Sequence, residues 1–450
     1  MKRIIASVGF AALGVSTLHA QYAPGVTPAE MANPRGWAVG ATVREFYDDN
    51  YLTLPNSAAR SSYGEEVSPS AALNGVFNNT TLTTSYVFDL KHYESTDLTD
   101  SSHQFNAQVL QRFSDRYNLQ IGESFVIAQE PTVLNNSSAF VATPLRASGA
   151  NVHNTGMIKV TAGLTPTLDL QVSYNNDVYA YQQTFGDVFN PGALPPSYIP
   201  MSLNPSYSAL LDRMEQQATV NLNWKMMNEL TGVAGYTYGH TGFTSPEPII
   251  FAGPPGQQNF GNPANIFSQD RNSDSHFLFV GGDWQINSQL TGRVRVGGEY
   301  VDYYNADTDA LSPYVDASLT WLYMKGSTVQ GGVTHEHSTT DVVGALPATT
   351  GPNAGQPVLD ADSTVAYLSV NQTIGNLTGS LLGQYQHSAF NGGSENGQSE
   401  DFFVTGLNMA YRFDANFRAE TGYNWNKLVS DVSGRDYTRN TVYVGVRATY

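Results

Sequence analysis

The sequence predicts an all-β fold: a transmembrane antiparallel β-barrel of about eighteen strands, with sixteen the main alternative. Three observations predict it. Segments that alternate apolar and polar residues recur along the chain. The connections between them switch between short and long. The last segment, Val442 to Tyr450, alternates up to an aromatic final residue.

Composition supports a wall with one lipid face and one wet face. Charged residues are 14% of the chain, against ~25% in an ordinary soluble domain. Aromatics reach 12%, with 26 Tyr, and Gly numbers 41, while mean hydropathy is −0.28. Beyond the first twenty residues no stretch has the ~18 consecutive apolar residues of a spanning helix. A closed barrel is the β architecture that leaves no unpaired edge in lipid.

The chain opens with Met1-Lys2-Arg3, an apolar run from Ile4 to Leu18, and Ala20 before Gln21. That order predicts a cleaved secretory signal peptide over 1–20. The run falls short of the ~20 residues a spanning helix needs. No Cys follows it to carry a lipid anchor. Residues 21–35, with Pro24, Pro28 and Pro34, read as an irregular periplasmic lead-in, and 36–450 as the barrel. Losing Lys2 and Arg3 takes the net charge from −17 to −19, which argues against a nucleic-acid partner. The absence of Cys removes thiolate catalysis and Cys-ligated metals.

Strands follow from the alternation. In Met214 to Met226, Val220, Leu222 and Trp224 oppose Thr219, Asn221 and Asn223. In Leu290 to Tyr300, Val294 and Val296 oppose Arg293 and Arg295. Val315 to Tyr323 and Phe417 to Trp425 repeat the pattern. Glu123 falls on the lipid face, which predicts a bulge or a shifted register there. Short periplasmic turns are expected near Asn78, Ser114, Thr165, Met227, Asn287, Lys325, Gly375 and Asp414. Long extracellular loops are expected at Asp48–Ser62, Gln129–Asn151, Gln183–Leu211, Thr244–Ser273 and Ser338–Asp362. Leu230-Thr231-Gly232, Leu290-Thr291-Gly292 and Leu377-Thr378-Gly379 each follow a short turn containing Asn, which marks a hairpin repeat.

The closing segment places Val442, Val444, Val446, Ala448 and Tyr450 on one face and Arg447 on the other. It should pair with the strand near Trp37 to Val43. A terminal aromatic strand of this kind is similar to the signal read by outer-membrane barrel assembly machinery. Further local patterns run through Gly36-Trp37-Ala38-Val39, Phe46-Tyr47-Asp48-Asp49-Asn50-Tyr51, Glu66-Val67-Ser68-Pro69-Ser70, Ser102-His103-Gln104-Phe105, Ser124-Phe125-Val126 and Ser208-Ala209-Leu210-Leu211-Asp212-Arg213. In these stretches the sequence resembles the outer-membrane β-barrel porin 2 family. The resemblance implies a barrel strongly and a pore less strongly, and it brings no catalytic residues.

Face assignment sends Arg44, Lys91, Arg112, Lys159, Lys225, Arg293, Arg295, Arg412, Arg418 and Arg447 inward, ten of the twenty bases left after cleavage. Inward acids are Asp89, Asp169, Glu215, Asp283, Glu299, Asp316, Glu336 and Glu420. An Arg or Lys facing mid-depth lipid costs roughly 2–4 kcal/mol, so these charges belong in the lumen. The expected function is passive diffusion of small hydrophilic solutes with weak anion preference. The alternatives are a non-conducting structural barrel, one serving polysaccharide export, and an outer-membrane hydrolase. No G-x-S-x-G elbow or phosphate loop supports catalysis. Phe185, Phe189, Tyr198 and Phe260 sit in loops that either fold into the opening or cap it. His335-Glu336-His337 could grip a metal but offers no third ligand. The pairs Asp48/Asp49, Asp307/Asp309 and Asp360/Asp362 read as solvated loop acids rather than calcium sites. Expected partners are outer-membrane lipid, the assembly machinery, small hydrophilic solutes and a possible homo-oligomer; no cofactor is expected.

Overall fold

The computed structural model describes residues 36–128, 151–184, 205–250, 263–342 and 356–450. The expected signal peptide and lead-in lie outside the described residues, as do Phe185, Phe189, Tyr198 and Phe260.

Eighteen strands form one closed antiparallel sheet. They are β1 (Trp37–Asp48), β2 (Ser62–Phe77), β3 (Thr80–Tyr93), β4 (Leu98–Arg112), β5 (Tyr117–Ala128), β6 (Asn151–Gly163), β7 (Leu168–Tyr181), β8 (Arg213–Lys225) and β9 (Leu230–Phe243). The second half holds β12 (Ser273–Gln285), β13 (Leu290–Tyr303), β14 (Thr308–Met324), β15 (Ser327–Ser338), β16 (Asp360–Ile374), β17 (Leu377–Asn391), β18 (Ser399–Arg412), β19 (Phe417–Ser430) and β20 (Tyr437–Thr449). Among the described residues, a separate small ribbon, β10 (Pro248–Ile250) with β11 (Ile266–Phe267), and a short α-helix, α1 (Tyr207–Leu211), lie in the connections. Each strand pairs with its sequence neighbour, and β1 closes on β20 from Gly40 opposite Thr449 to Asp48 opposite Thr441. Beyond it, Tyr450 and Val39 exchange backbone hydrogen bonds of 2.8 and 3.1 Å.

All eight predicted short turns are present, at one end of the barrel. The other end corrects an expectation. Four of its nine connections are short rather than long: 94–97, 304–307, 392–398 and 431–436. Two of these tight links end on an aspartate with left-handed φ, Asp97 at 53° and Asp307 at 51°. Asp tolerates that conformation better than most residues, so four residues suffice to reverse the chain.

Side chains alternate as the pattern required. Val43, Val294, Val296, Leu319, Val444 and Val446 are exposed outward. Such a contiguous apolar exterior is what lipid, not water, tolerates. Outward aromatics are spread over the wall and reach both ends. Trp37, Tyr117, Trp224, Trp284, Trp321 and Phe417 mark the turn end, and Tyr63 and Tyr300 the loop end. Aromatic rings at both interfaces are expected of a membrane barrel.

The expected bulge at Glu123 is absent. β5 pairs with β4 and β6 without a register break, so Glu123 remains on the outer face. The Asn154 amide donates to its carboxylate. Gly156 leaves the carboxylate room, since a Cβ there would sit 3.4 Å from Oε2. The repeated triplets begin β9, β13 and β17. In the first, Gly232 clears space for the turn residue Met226, whose Cε would lie 2.5 Å from an added Cβ.

Candidate functional site

The candidate site is the inner wall. By register, the twelve charged residues expected along a pore all fall on the inward face: Arg44, Lys91, Arg112, Lys159, Lys225, Arg293, Arg295, Glu299, Asp316, Arg412, Arg418 and Arg447. Arg112 and Arg412 are exposed at the turn end.

Most of the charge is matched locally. Arg44 donates through Nη1 to Glu66 at 3.0 Å and through Nε to Glu420 at 2.6 Å, and its guanidinium lies 4.5 Å from the Tyr443 ring centroid. The Ser68 hydroxyl donates to Asp89 beside this pair. Lys225 meets Asp169 at 3.2 Å, Arg295 meets Asp283 at 2.9 Å through both carboxylate oxygens, and Arg293 meets Asp316. Most partners lie on neighbouring strands, the geometry in which cross-strand pairs stabilise a sheet, while Arg44 reaches Glu420 across Gly445 of the intervening β20. One row sets like residues side by side. Arg412, Arg418 and Arg447 stand directly opposite one another on β18, β19 and β20, near the turn end. Like charges directly opposite repel.

Sequence reasoning missed several inward residues. Glu66, Asp177 and Arg213 also face in. Arg213 lies 3.8 Å over the Tyr179 ring and bonds Glu215 at 2.6 Å. Extending the β8 alternation one residue upstream of Met214 would have found it.

One further expectation holds only in part. Asp307 and Asp309 are exposed, as solvated acids should be, but Asp48 is buried against Arg439 at 2.5 Å, and Asp360 accepts from Tyr303 and from Asn391. His335 and His337 have separate partners. His335 Nδ1 lies 2.7 Å from Thr364 Oγ1, whereas His337 Nδ1 faces Asp362 at 2.9 Å. Among the described residues no group of three or more His, Asp or Glu could hold a metal ion.

Residues 241–450 match the family Putative beta-barrel porin 2. The chain is an outer-membrane β-barrel of porin-like fold. No curated protein matches it. Among solved structures, it is similar to the outer membrane protein opdK from Pseudomonas aeruginosa at 10% identity and a TM-score of 0.42, covering 92% of this chain and 100% of that one. It is similar to OccAB4 from Acinetobacter baumannii at 10% identity and a TM-score of 0.41, covering 93% and 100%. It is also similar to a mutant of the ferric enterobactin receptor PfeA from Pseudomonas aeruginosa, at 8% identity and a TM-score of 0.43, covering 92% and 80%.

The loop end of this porin-like barrel carries a strap. α1 and the β10–β11 ribbon pack together through Ala209, Leu210, Ile249 and Ile250. Arg271, fully buried over the Phe243 ring at 4.2 Å, donates to Leu210 O and, at 2.9 Å, to Thr340 O. Burial, reinforced by the charge of Arg213, pulls its pKa down to about 9. Thr340 follows β15, so this contact reaches past β12, β13 and β14. From there Asp341 bonds both terminal nitrogens of Arg435 at 3.2 and 3.0 Å, and Arg435 also meets Glu400 at 3.2 Å. Burial opposes the Arg435 charge, but the two carboxylates raise its pKa overall. Val342, Val358, Ala361 and Phe390 form a small apolar core beneath. Connections rooted from β7 around to β20 are thereby tied together.

Proposed function

We propose that this protein is a diffusion channel for small hydrophilic solutes, exported by a cleaved signal over 1–20 and not an enzyme. The observation that carries the reading is the inner wall, where charges that could not face lipid are arranged as cross-strand pairs. A paired wall hydrates the lumen without trapping ions of either sign. The arginine row Arg412, Arg418 and Arg447 gives a weak preference for anions. Val442, Val444, Val446, Ala448 and Tyr450 serve as the assembly signal, with the first four on the outer face of β20 and Tyr450 following it beside Trp37.

Planar-bilayer recording of the purified protein tests this. Discrete open-channel steps and a reversal potential displaced modestly toward anions are expected. Silence across all voltages overturns the channel. Arg293→Glu with Arg295→Glu leaves Asp283 and Asp316 without their partners, so the reversal potential should move toward cations. An unchanged potential places these residues away from the constriction.

The strap favours a second reading, a barrel whose mouth is closed at rest. Under that reading conductance appears only when Arg435 or Arg271 is removed.

A further inference from the structure

We infer that the inner wall of β12 to β16 is a binding strip for neutral saccharides; this rests on the channel reading above. The first observation is how the inward aromatic rings are held. Phe279 stands directly opposite Gly235, and its Cζ lies 2.2 Å from where a Cβ on that glycine would be. Tyr367 stands opposite Gly332, with Cε1 and Cζ at 2.7 and 2.9 Å from the same imagined atom. A ring that covers the paired residue of the next strand lies along the wall. It does not project across the lumen. Only glycine permits this, because any Cβ would lift the ring. Tyr314 extends the strip, its ring 5.9 Å from Phe277 and 5.8 Å from Phe279. Phe279, Tyr314 and Tyr367 are half-buried, so each keeps surface for a solute.

The second observation is the polar set between the rings. Arg293 bonds Asp316, and Arg295 stands opposite Asp316 in register. Gln330 Nε2 donates to the Tyr367 hydroxyl at 3.2 Å. Guanidinium groups only donate, carboxylates only accept, and an amide does both. A pyranose presents the complement: a C–H face for aromatic stacking and a rim of hydroxyls that both donate and accept. Each guanidinium here is already matched by a carboxylate, and Glu299 and Glu336 on the same face add only acceptors, so the strip holds no spare cation for an anionic solute.

The test is single-channel current in the presence of maltohexaose, with polyethylene glycol of equal mass as the control. Concentration-dependent interruptions by the glucan, and not by the glycol, are expected. Tyr367→Ala and Phe279→Ala should each raise the half-blocking concentration at least tenfold without changing open conductance more than twofold. Equal block by glucan and glycol, or block unchanged in both variants, overturns the strip. If no channel opens, calorimetric titration of the detergent-solubilised protein with maltohexaose separates the two ideas. Binding heat that is lost in Tyr367→Ala supports the strip while the channel reading fails. No heat overturns the strip as well. Retained heat-modifiable gel migration confirms that each variant is folded.

Discussion

At Glu123 the lipid face carries a carboxylate, and its neighbours explain how the fold accommodates it. Asn154 satisfies one oxygen and Gly156 leaves space beside the other. Removing the donor should therefore cost more than removing the acid. Asn154→Leu leaves the carboxyl unpaired against lipid and should destabilise the folded barrel by about 1–3 kcal/mol. Glu123→Leu should be neutral or stabilising. Equilibrium folding into lipid vesicles measures both, and equal losses would contradict the account. Residues such as Asp48 were harder to read. Its partner Arg439 lies 391 positions away in sequence, and nothing local distinguishes it from a solvated loop acid.

Within a strand, the face of each side chain sets its energetic cost. Val220 points outward and Thr219 inward, although they are adjacent in β8. Val220→Arg should lower folding stability by roughly 2–4 kcal/mol, and Thr219→Arg by much less. Similar losses would mean the register is wrong. Strand number to within two, turn positions and both faces were legible because period-two alternation is a local property of sequence. Loop length at the far end was less legible. Links such as 304–307 look like the polar stretches around them until the left-handed Asp307 shows that they are tight turns.

Across the whole molecule, the strap makes a prediction that no single hairpin could. Breaking a buried ion pair by removing one partner costs about 3–5 kcal/mol. Arg435→Ala leaves Asp341 and Glu400 buried without their cation, so the strap should loosen while the barrel wall stays intact. Mean conductance in a planar bilayer should rise several-fold, with gel migration of the folded form unchanged. An unaltered current would show that the strap does not restrict the path.

The sequence by itself determined the barrel, a strand number of sixteen or eighteen, the closure of the last strand on the first and the inward face of most charges. These follow from alternation and from the cost of placing charge or unpaired backbone in lipid, and both act residue by residue along the chain. Only the tertiary structure decided which charges meet. It also placed Phe279 and Tyr367 on glycines of the next strand, buried Arg271 between two loops, and set three arginines in one row. Those outcomes depend on inter-strand register and on loops meeting across the mouth. Such distances are set by closure of the cylinder and leave no trace in any short stretch of sequence.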